Sequence, residues 1–223
     1  MAQKAELAFQ RKLLEDLRAG GERADTATNI LSKLDATAWE HILEQSLIDR
    51  QTSLFRQQNL QEDIESLLRT PNTSALLFVT DLVNFKHGVN DTHGQPVGDE
   101  IINLAAEGMR KVISSRRDDA TGYRIGGDEF ATLLKDGRSL ERANHTAIVR
   151  RKIRGMLGHL PLVEALQDHD VQGFGVRAGA TLLDANRHTS YSNVLFDADP
   201  KLNTICQYIL IPDEDHLVIK KVK

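Results

Sequence analysis

The chain has 223 residues, 27% of them charged, and a formal net charge of −4. That balance argues against a nucleic acid polymer as partner, since phosphate backbones are held by surplus Lys and Arg. One cysteine, Cys206, excludes an internal disulfide and fits a reducing compartment, and the eight histidines never fall at zinc-ligand spacing. No run approaches the roughly 18 apolar residues of a membrane span and Met1-Ala-Gln-Lys-Ala5 has no signal-peptide character, so a cytoplasmic location is expected.

Residues 1–48 read as a helical extension ahead of a domain over 49–223. Ala5, Phe9, Leu13 and Leu17 recur every four residues and stop at Gly20-Gly21. Thr37-Ala-Trp-Glu40 is a capping-box pattern opening a second helix, with Trp39, Ile42, Leu43 and Leu47 on one side. These helices either pack on the following domain or form a dimerisation or signalling module. Leu60, Ile64 and Leu67 mark the next helix. Ala75-Leu-Leu-Phe-Val-Thr80, after the loop-like Thr70–Ser74, is an apolar run of strand length and predicts a buried strand. It ends in Asp81, a carboxylate that burial makes costly unless it is paired or holds a metal. Asn84-Phe-Lys-His-Gly-Val-Asn-Asp91 and Gly94-Gln-Pro-Val-Gly-Asp99 follow, with a helix expected to begin near Asp99. Asn and Asp together match the hydrogen-bonding edge of guanine. Equally, Asn90, Asp91 and Asp99 are residues that build turns and cap helices.

Ile101, Leu104, Ala105, Gly108 and Val112 carry that helix. Then comes Arg124-Ile-Gly-Gly-Asp-Glu-Phe130, between β-favouring runs at 123–125 and 130–134. A tight hairpin is predicted, with Gly126 and Gly127 taking the positive φ of a two-residue loop and clearing side chains from its tip. Asp128 and Glu129 set two carboxylates beside that opening, where a hydrated divalent cation is welcome. The alternative is a hairpin with no site. A helix near 140–158, a Gly-rich strand at about Gly173–Leu183 and a closing hairpin either side of Pro212-Asp-Glu-Asp215 complete the order. The stretch from about Ala185 to Asp199 is assigned to no element. Strand–helix–hairpin–helix–strand is the α+β, ferredoxin-like or palm-type order: a central sheet with antiparallel strands, flanked by helices. In such a sheet the end of the first strand neighbours the hairpin turn, which brings Asp81 to Asp128.

These segments resemble the GGDEF family, the diguanylate cyclases, which condense two GTP into cyclic di-GMP. The resemblance is carried by Gly126-Gly-Asp-Glu-Phe130 and by Asp81…Phe85-Lys86…Asn90-Asp91…Gly94…Gly98-Asp99. The second is close to the family's Asp-x-Asp-x-Phe-Lys-x-x-Asn-Asp-x-x-Gly-His-x-x-Gly-Asp. A fainter echo of the domain-opening Asp-x-Leu-Thr-Gly-Leu stands at Asp49-Arg-Gln-Thr-Ser-Leu54. The resemblance implies that Asp81 and Asp128 ligate Mg²⁺ (or Mn²⁺) by side chain and Leu82 by its backbone carbonyl. It implies that Asn90 and Asp99 hold guanine, that Lys86 lies near the triphosphate, and that Gly126 and Gly127 let the phosphates pass. Asp128 or Glu129 would help deprotonate the ribose 3′-hydroxyl. GTP is the implied substrate, and a homodimer is implied because two GTP-loaded sites must face each other. A protein partner acting through the N-terminal helices is also open.

The chain departs from the family pattern at several positions. Val83 replaces the second acid of Asp-x-Asp, three residues instead of two separate Lys86 from Asn90, and Gln95 follows Gly94 where His is usual. The family's closing Ala-Asp-x-Ala-Leu-Tyr-x-Ala-Lys-x-x-Gly-Arg aligns on Ala198-Asp199, so its triphosphate-binding Lys falls on Cys206 and its Arg on Leu210. Lys201 and the tail Lys220-Lys221-Val222-Lys223 are the candidate replacements. Of the inhibitory Arg-x-x-Asp, Arg117 matches while Ala120 stands at the Asp; a charged loop over 116–119 is the simpler reading. Two outcomes follow: an active diguanylate cyclase, or a catalytically inactive module that binds GTP or a protein partner and signals.

Overall fold

The computed structural model describes residue 29 and residues 47–70, 74–113, 120–135, 144–213 and 216–222. The helices expected before residue 47, and Arg117 with its charged loop, lie outside the described residues. Backbone contacts divide the chain into two compact units, Met1–Ile48 and Asp49–Lys223.

The second unit is built on seven strands: β1 (Phe55–Arg56), β2 (Ala75–Val83), β3 (Ala120–Arg124), β4 (Glu129–Leu134), β5 (Gly175–Leu183), β6 (Thr204–Asp213) and β7 (His216–Lys221). They form one sheet in the order β1-β3-β4-β2-β5-β6-β7, antiparallel except for the β1–β3 pair. β2 is central because its sequence allows nothing else: residues 75–82 are all buried, so both faces need cover. The inner four strands, β3-β4-β2-β5, have the ferredoxin-like arrangement expected from the sequence.

The long helices are α1 (Gln57–Arg69), α2 (Gln95–Ile113), α3 (His145–Leu157), α4 (Leu160–Asp168) and α5 (Tyr191–Ala198). Ile101, Ile102, Ala105, Ala106 and Met109 of α2 pack with Val149, Ile153 and Met156 of α3 into the main core, over Phe78, Phe130 and Val176 of the sheet. Each fully buried Leu, Ile or Phe of this kind contributes roughly 1.5–3 kcal/mol. On α1, the buried Asp63 carboxylate accepts from the Tyr123 hydroxyl of β3 and pairs with Lys135 at 3.4 Å, so its charge is answered.

Three features differ from the sequence-based expectation. Helix α2 begins at Gln95, four residues before Asp99, with Pro96 in its first turn, where a missing N–H costs nothing. Asp99 therefore caps no helix. Helices α4 and α5 were not anticipated. α4 opens on Leu160-Pro161, a proline at the helix start rather than a break. α5 lies inside the unassigned stretch, with Ser190 accepting from the Asn193 N–H as its cap.

The extra residue between Lys86 and Asn90 has a local solution. Phe85–Asn90 is a π-helical turn, in which the Asp91 N–H donates to the Lys86 carbonyl five residues back. It runs directly into the helical turn Asp91–His93. A π turn takes in one residue more than an α turn, so the insertion widens the coil and leaves the segment beyond it in step.

Candidate active site

Strand register assembles the site. Asp81 stands across from Glu129 on β4 and from Arg177 on β5. One residue on, the Leu82 N–H donates to the Asp128 carbonyl at 3.2 Å, tying the end of β2 to the turn before β4. Asp81, Leu82, Asp128 and Glu129 thus come together as the sequence predicted. The turn itself differs from the expected two-residue loop. Residues 125–128 link the strands, closed by Ile125 and Gly126 N–H groups donating to the Glu129 carbonyl at 3.0 and 3.3 Å. Neither glycine adopts a positive φ.

The glycines serve clearance instead. A Cβ on Gly126 would stand 3.0 Å from Glu129 Oε2, whereas one on Gly127 would meet nothing within 4 Å and would project into open space. Arg124 fixes the turn from below. Its guanidinium donates to the carbonyls of Gly126 (3.2 Å) and Gly127 (2.8 Å) and to Asp49 Oδ1 (3.1 Å) and Gln51 Oε1 (2.6 Å). Burial pushes the Asp49 carboxyl up, but hydrogen bonds from Thr52 and Arg124 outweigh it and hold the group below its usual range. The faint motif at Asp49–Leu54 is therefore a bracket for the Gly-Gly turn. Ser53, at the pattern's glycine, holds φ 56°.

Electrostatics mark Asp128. Burial first, then the charge of Asp81, pushes its carboxyl above the ordinary range; Glu129 adds to this and Lys201 offsets part of it. Two cations answer the cluster: Arg177, which the sequence reading did not single out, and Lys201, one of its candidate replacements. Arg177 Nε donates to Asp81 Oδ2 at 3.0 Å, and Lys201 Nζ lies 3.2 Å from Asp81 Oδ1 and 2.5 Å from Glu129 Oε1. The Glu129 carboxylate, and Asp81 beyond it, hold the Lys201 ammonium far above its usual pKa. Lys201 reaches the cluster because the end of α5 lies against β5 at Gly179, where a Cβ would stand 2.4 Å from the Ala198 carbonyl oxygen.

A second group of predicted residues gathers around the start of α2. The Asn90 side chain lies on Gly98, where a Cβ would meet its Oδ1 at 1.8 Å, directly beside Asp99. Asp99 Oδ1 accepts from Gln51 Nε2 at 3.0 Å. Gln51 therefore bridges Arg124, under the Gly-Gly turn, to Asp99. Lys86 is exposed on the π-helical turn and makes no ion pair with another described residue. Cys206 and Leu210, where the closing motif's cations were sought, are buried in β6. Lys220 and Lys221 belong to β7, three strands from β2; of the candidate cations among the described residues, Lys201 is the one that stands at the cluster.

Among the described residues, no three His, Cys, Asp or Glu side chains converge as a ready-made metal cage. Mg²⁺ does not need one, since it retains waters and takes one or two carboxylates plus substrate phosphates. The crowding that raises Asp128 is what a divalent cation would relieve, so the donor set fits that ion, with Lys201 standing between two of the acids.

The profile of the family described as "Diguanylate cyclase, GGDEF domain" matches residues 46–207. The probable diguanylate cyclase DgcE of Escherichia coli is 31% identical over 161 residues, covering 68% of this chain and 13% of that protein. Diguanylate cyclase VdcA of Vibrio cholerae is 32% identical over 113 residues (50% of this chain, 32% of that protein). The chain thus spans at most about a third of the length of these relatives. Among solved structures, the coiled coil and GGDEF domain of DgcB from Caulobacter crescentus, in complex with c-di-GMP, aligns with TM-score 0.55. The identity is 18%, over 91% of this chain and 93% of that one. The GGDEF domain of PA1120 from Pseudomonas aeruginosa aligns with TM-score 0.51 at 23% identity, over 68% of this chain and 84% of that one.

Proposed function

The chain belongs to the GGDEF family, and from that premise we propose that its unit 49–223 is a diguanylate cyclase. It acts as a cytoplasmic homodimer, with residues 1–48 as the dimerisation or signalling extension. The observation that carries this reading is the meeting of Asp81 and the Asp128-Glu129 turn across β2 and β4, beside the open space at Gly127.

In the proposed reaction, Asn90 and Asp99 hold guanine at the head of α2, and the triphosphate crosses the bare Gly126-Gly127 turn. Asp81, Asp128 and the Leu82 carbonyl would hold Mg²⁺ or Mn²⁺, which supplies charge neutralisation on the phosphates and acidifies the attacking hydroxyl. Asp128 or Glu129 accepts the proton of the 3′-hydroxyl. That oxygen forms a bond to the α-phosphorus of the GTP bound in the partner, and the bond to pyrophosphate breaks. Two such steps close the ring and release two pyrophosphates. Lys201, whose side chain is 52% exposed and whose ammonium pairs with Asp81 and Glu129, would supply positive charge to the phosphates in place of the missing Lys and Arg.

One observation favours a second reading. Both Asp81 oxygens already have cationic partners, Arg177 and Lys201, so the charge of that carboxylate is answered in a module that never loads metal. Such a module would bind GTP or a protein partner and signal without turnover. Incubating the purified protein with GTP and Mg²⁺ at high concentration, with Asp128→Ala as the blank, separates the two. Cyclic di-GMP formed by the wild type alone is the expected result. Absence of product while GTP binding persists would overturn the cyclase reading in favour of the module.

A further inference from the structure

Helix α3 carries Arg150, Arg151, Lys152 and Arg154 and no Asp or Glu, in a chain whose net charge is −4. Lys152 is accounted for: it is buried and its ammonium donates to the Val112 carbonyl in the last turn of α2 at 2.9 Å. The three arginines instead line an open hollow of about 520 Å³, walled by Tyr208 of β6 and Ile219 of β7. Among the described residues, none that lines it is acidic. Lys221 pairs with Tyr208 across the sheet edge, and it acts with Arg150 on buried Cys206, opposing the upward push of burial on that thiol. A fourth cation therefore stands close to this face.

Arg150 presents the specific anomaly. Its Nε is shielded from solvent and has no hydrogen-bond partner among the described residues. A buried guanidinium N–H without an acceptor is unfavourable, and native structures leave few of them. Arg151 has an interaction of its own. Arg150 and Arg154, four residues apart, share one helix face and make the natural pair of anchors. Guanidinium forks match phosphate oxygens two at a time, and a hollow of this size lies within the range of small-molecule sites, roughly 300–1,000 Å³. Tyr208 and Ile219 supply an apolar wall beside the charges.

We infer that this hollow is a second ligand site, taking a soluble phosphorylated small molecule of up to mononucleotide size between Arg150 and Arg154. It shares no residue with the carboxylate cluster of β2 and β4, and it stands whether or not the cyclase reading holds.

The probe is inorganic pyrophosphate, titrated calorimetrically into the full chain at low salt with EDTA present. The expected result is a single binding event, weakened about tenfold or more by Arg154→Ala, as for the loss of one charge-assisted phosphate contact. Arg154 is exposed, so that variant retains the fold; Arg150→Met, which preserves the packed stem, should weaken binding likewise. Lys201→Met should leave it unchanged. No binding, binding indifferent to both arginine variants, or binding lost in Lys201→Met would each overturn the site. Co-sedimentation with phosphatidic acid vesicles separates the sources: retention on vesicles without affinity for soluble pyrophosphate would overturn the small-molecule assignment.

Discussion

The junction of β2 with β4 and the segment from α5 to β6 meet at the same carboxylates, yet they have kept the family pattern unequally. Asp81, Asp128 and Glu129 stand at the pattern's positions because neighbouring strands fix them: moving Asp81 by one residue would turn its side chain to the other face. The closing segment has no such constraint. The residues aligned with the family's Lys and Arg lie in the buried ladder of β6, and the cation at the site comes from the turn after α5. A position set by sheet register tolerates little drift, whereas a charge on a long side chain can be delivered from another part of the chain.

The largest test of that contrast falls on the register-fixed side. Gly127→Val carries bulk into the open space at the turn, where a Cβ meets nothing within 4 Å. It should leave the melting temperature within about 2 °C, while cyclic di-GMP formation falls on the order of a hundredfold, the usual cost of displacing a reacting group by an ångström. Unimpaired turnover would show that the phosphates take another path. On the delivered side, Lys201→Met should raise the KM for GTP about tenfold or more, with a smaller change in kcat. Equal falls in kcat and kcat/KM would instead mark Lys201 as acting only in the transition state.

Stability offers the next comparison. Asp128 binds its proton more tightly folded than unfolded, since burial and Asp81 raise its pKa. The stability it contributes is therefore complete below the unfolded carboxylate value and is lost as pH rises through the folded one. In metal-free buffer Asp128→Asn should melt above the wild type near about pH 7, the gap closing toward about pH 3. A gap that does not change with pH would remove the electrostatic account. The smallest effect belongs to the Asp49–Leu54 bracket. Relieving the left-handed Ser53 gains roughly 1–2 kcal/mol and the freer unfolded glycine returns roughly 0.5–1, so Ser53→Gly should stabilise by about 0.5 kcal/mol in urea.

Much of this was legible in the sequence for identifiable reasons. The apolar run of β2 and the three- and four-residue steps of α1 and α2 are local signals, and a strand-end acid opposite a Gly-Gly turn follows from the ferredoxin-like order. What stayed hidden depends on partners distant in sequence. Arg177 meets Asp81 only through the β2–β5 pairing, 96 residues apart. The placement of α5 draws on His188, buried between the Asp184 N–H and the Asp197 carboxylate, a polar tie with no hydrophobic period. Ser190 with Asn193 was the signal that could have found that helix. Of the two roles read for the Gly-Gly pair, clearance at the tip holds for Gly127, while the left-handed backbone does not occur at either glycine.

The π-helical turn at Phe85–Asn90 bears on how such chains are compared. An added residue in an alignment is ordinarily taken as a displaced loop, and function beyond it as doubtful. Here the addition is swallowed within a single coil, and Asn90 still comes to rest on Gly98. One helical turn can therefore absorb an inserted residue, and a gap in the written alignment need not be a gap in space.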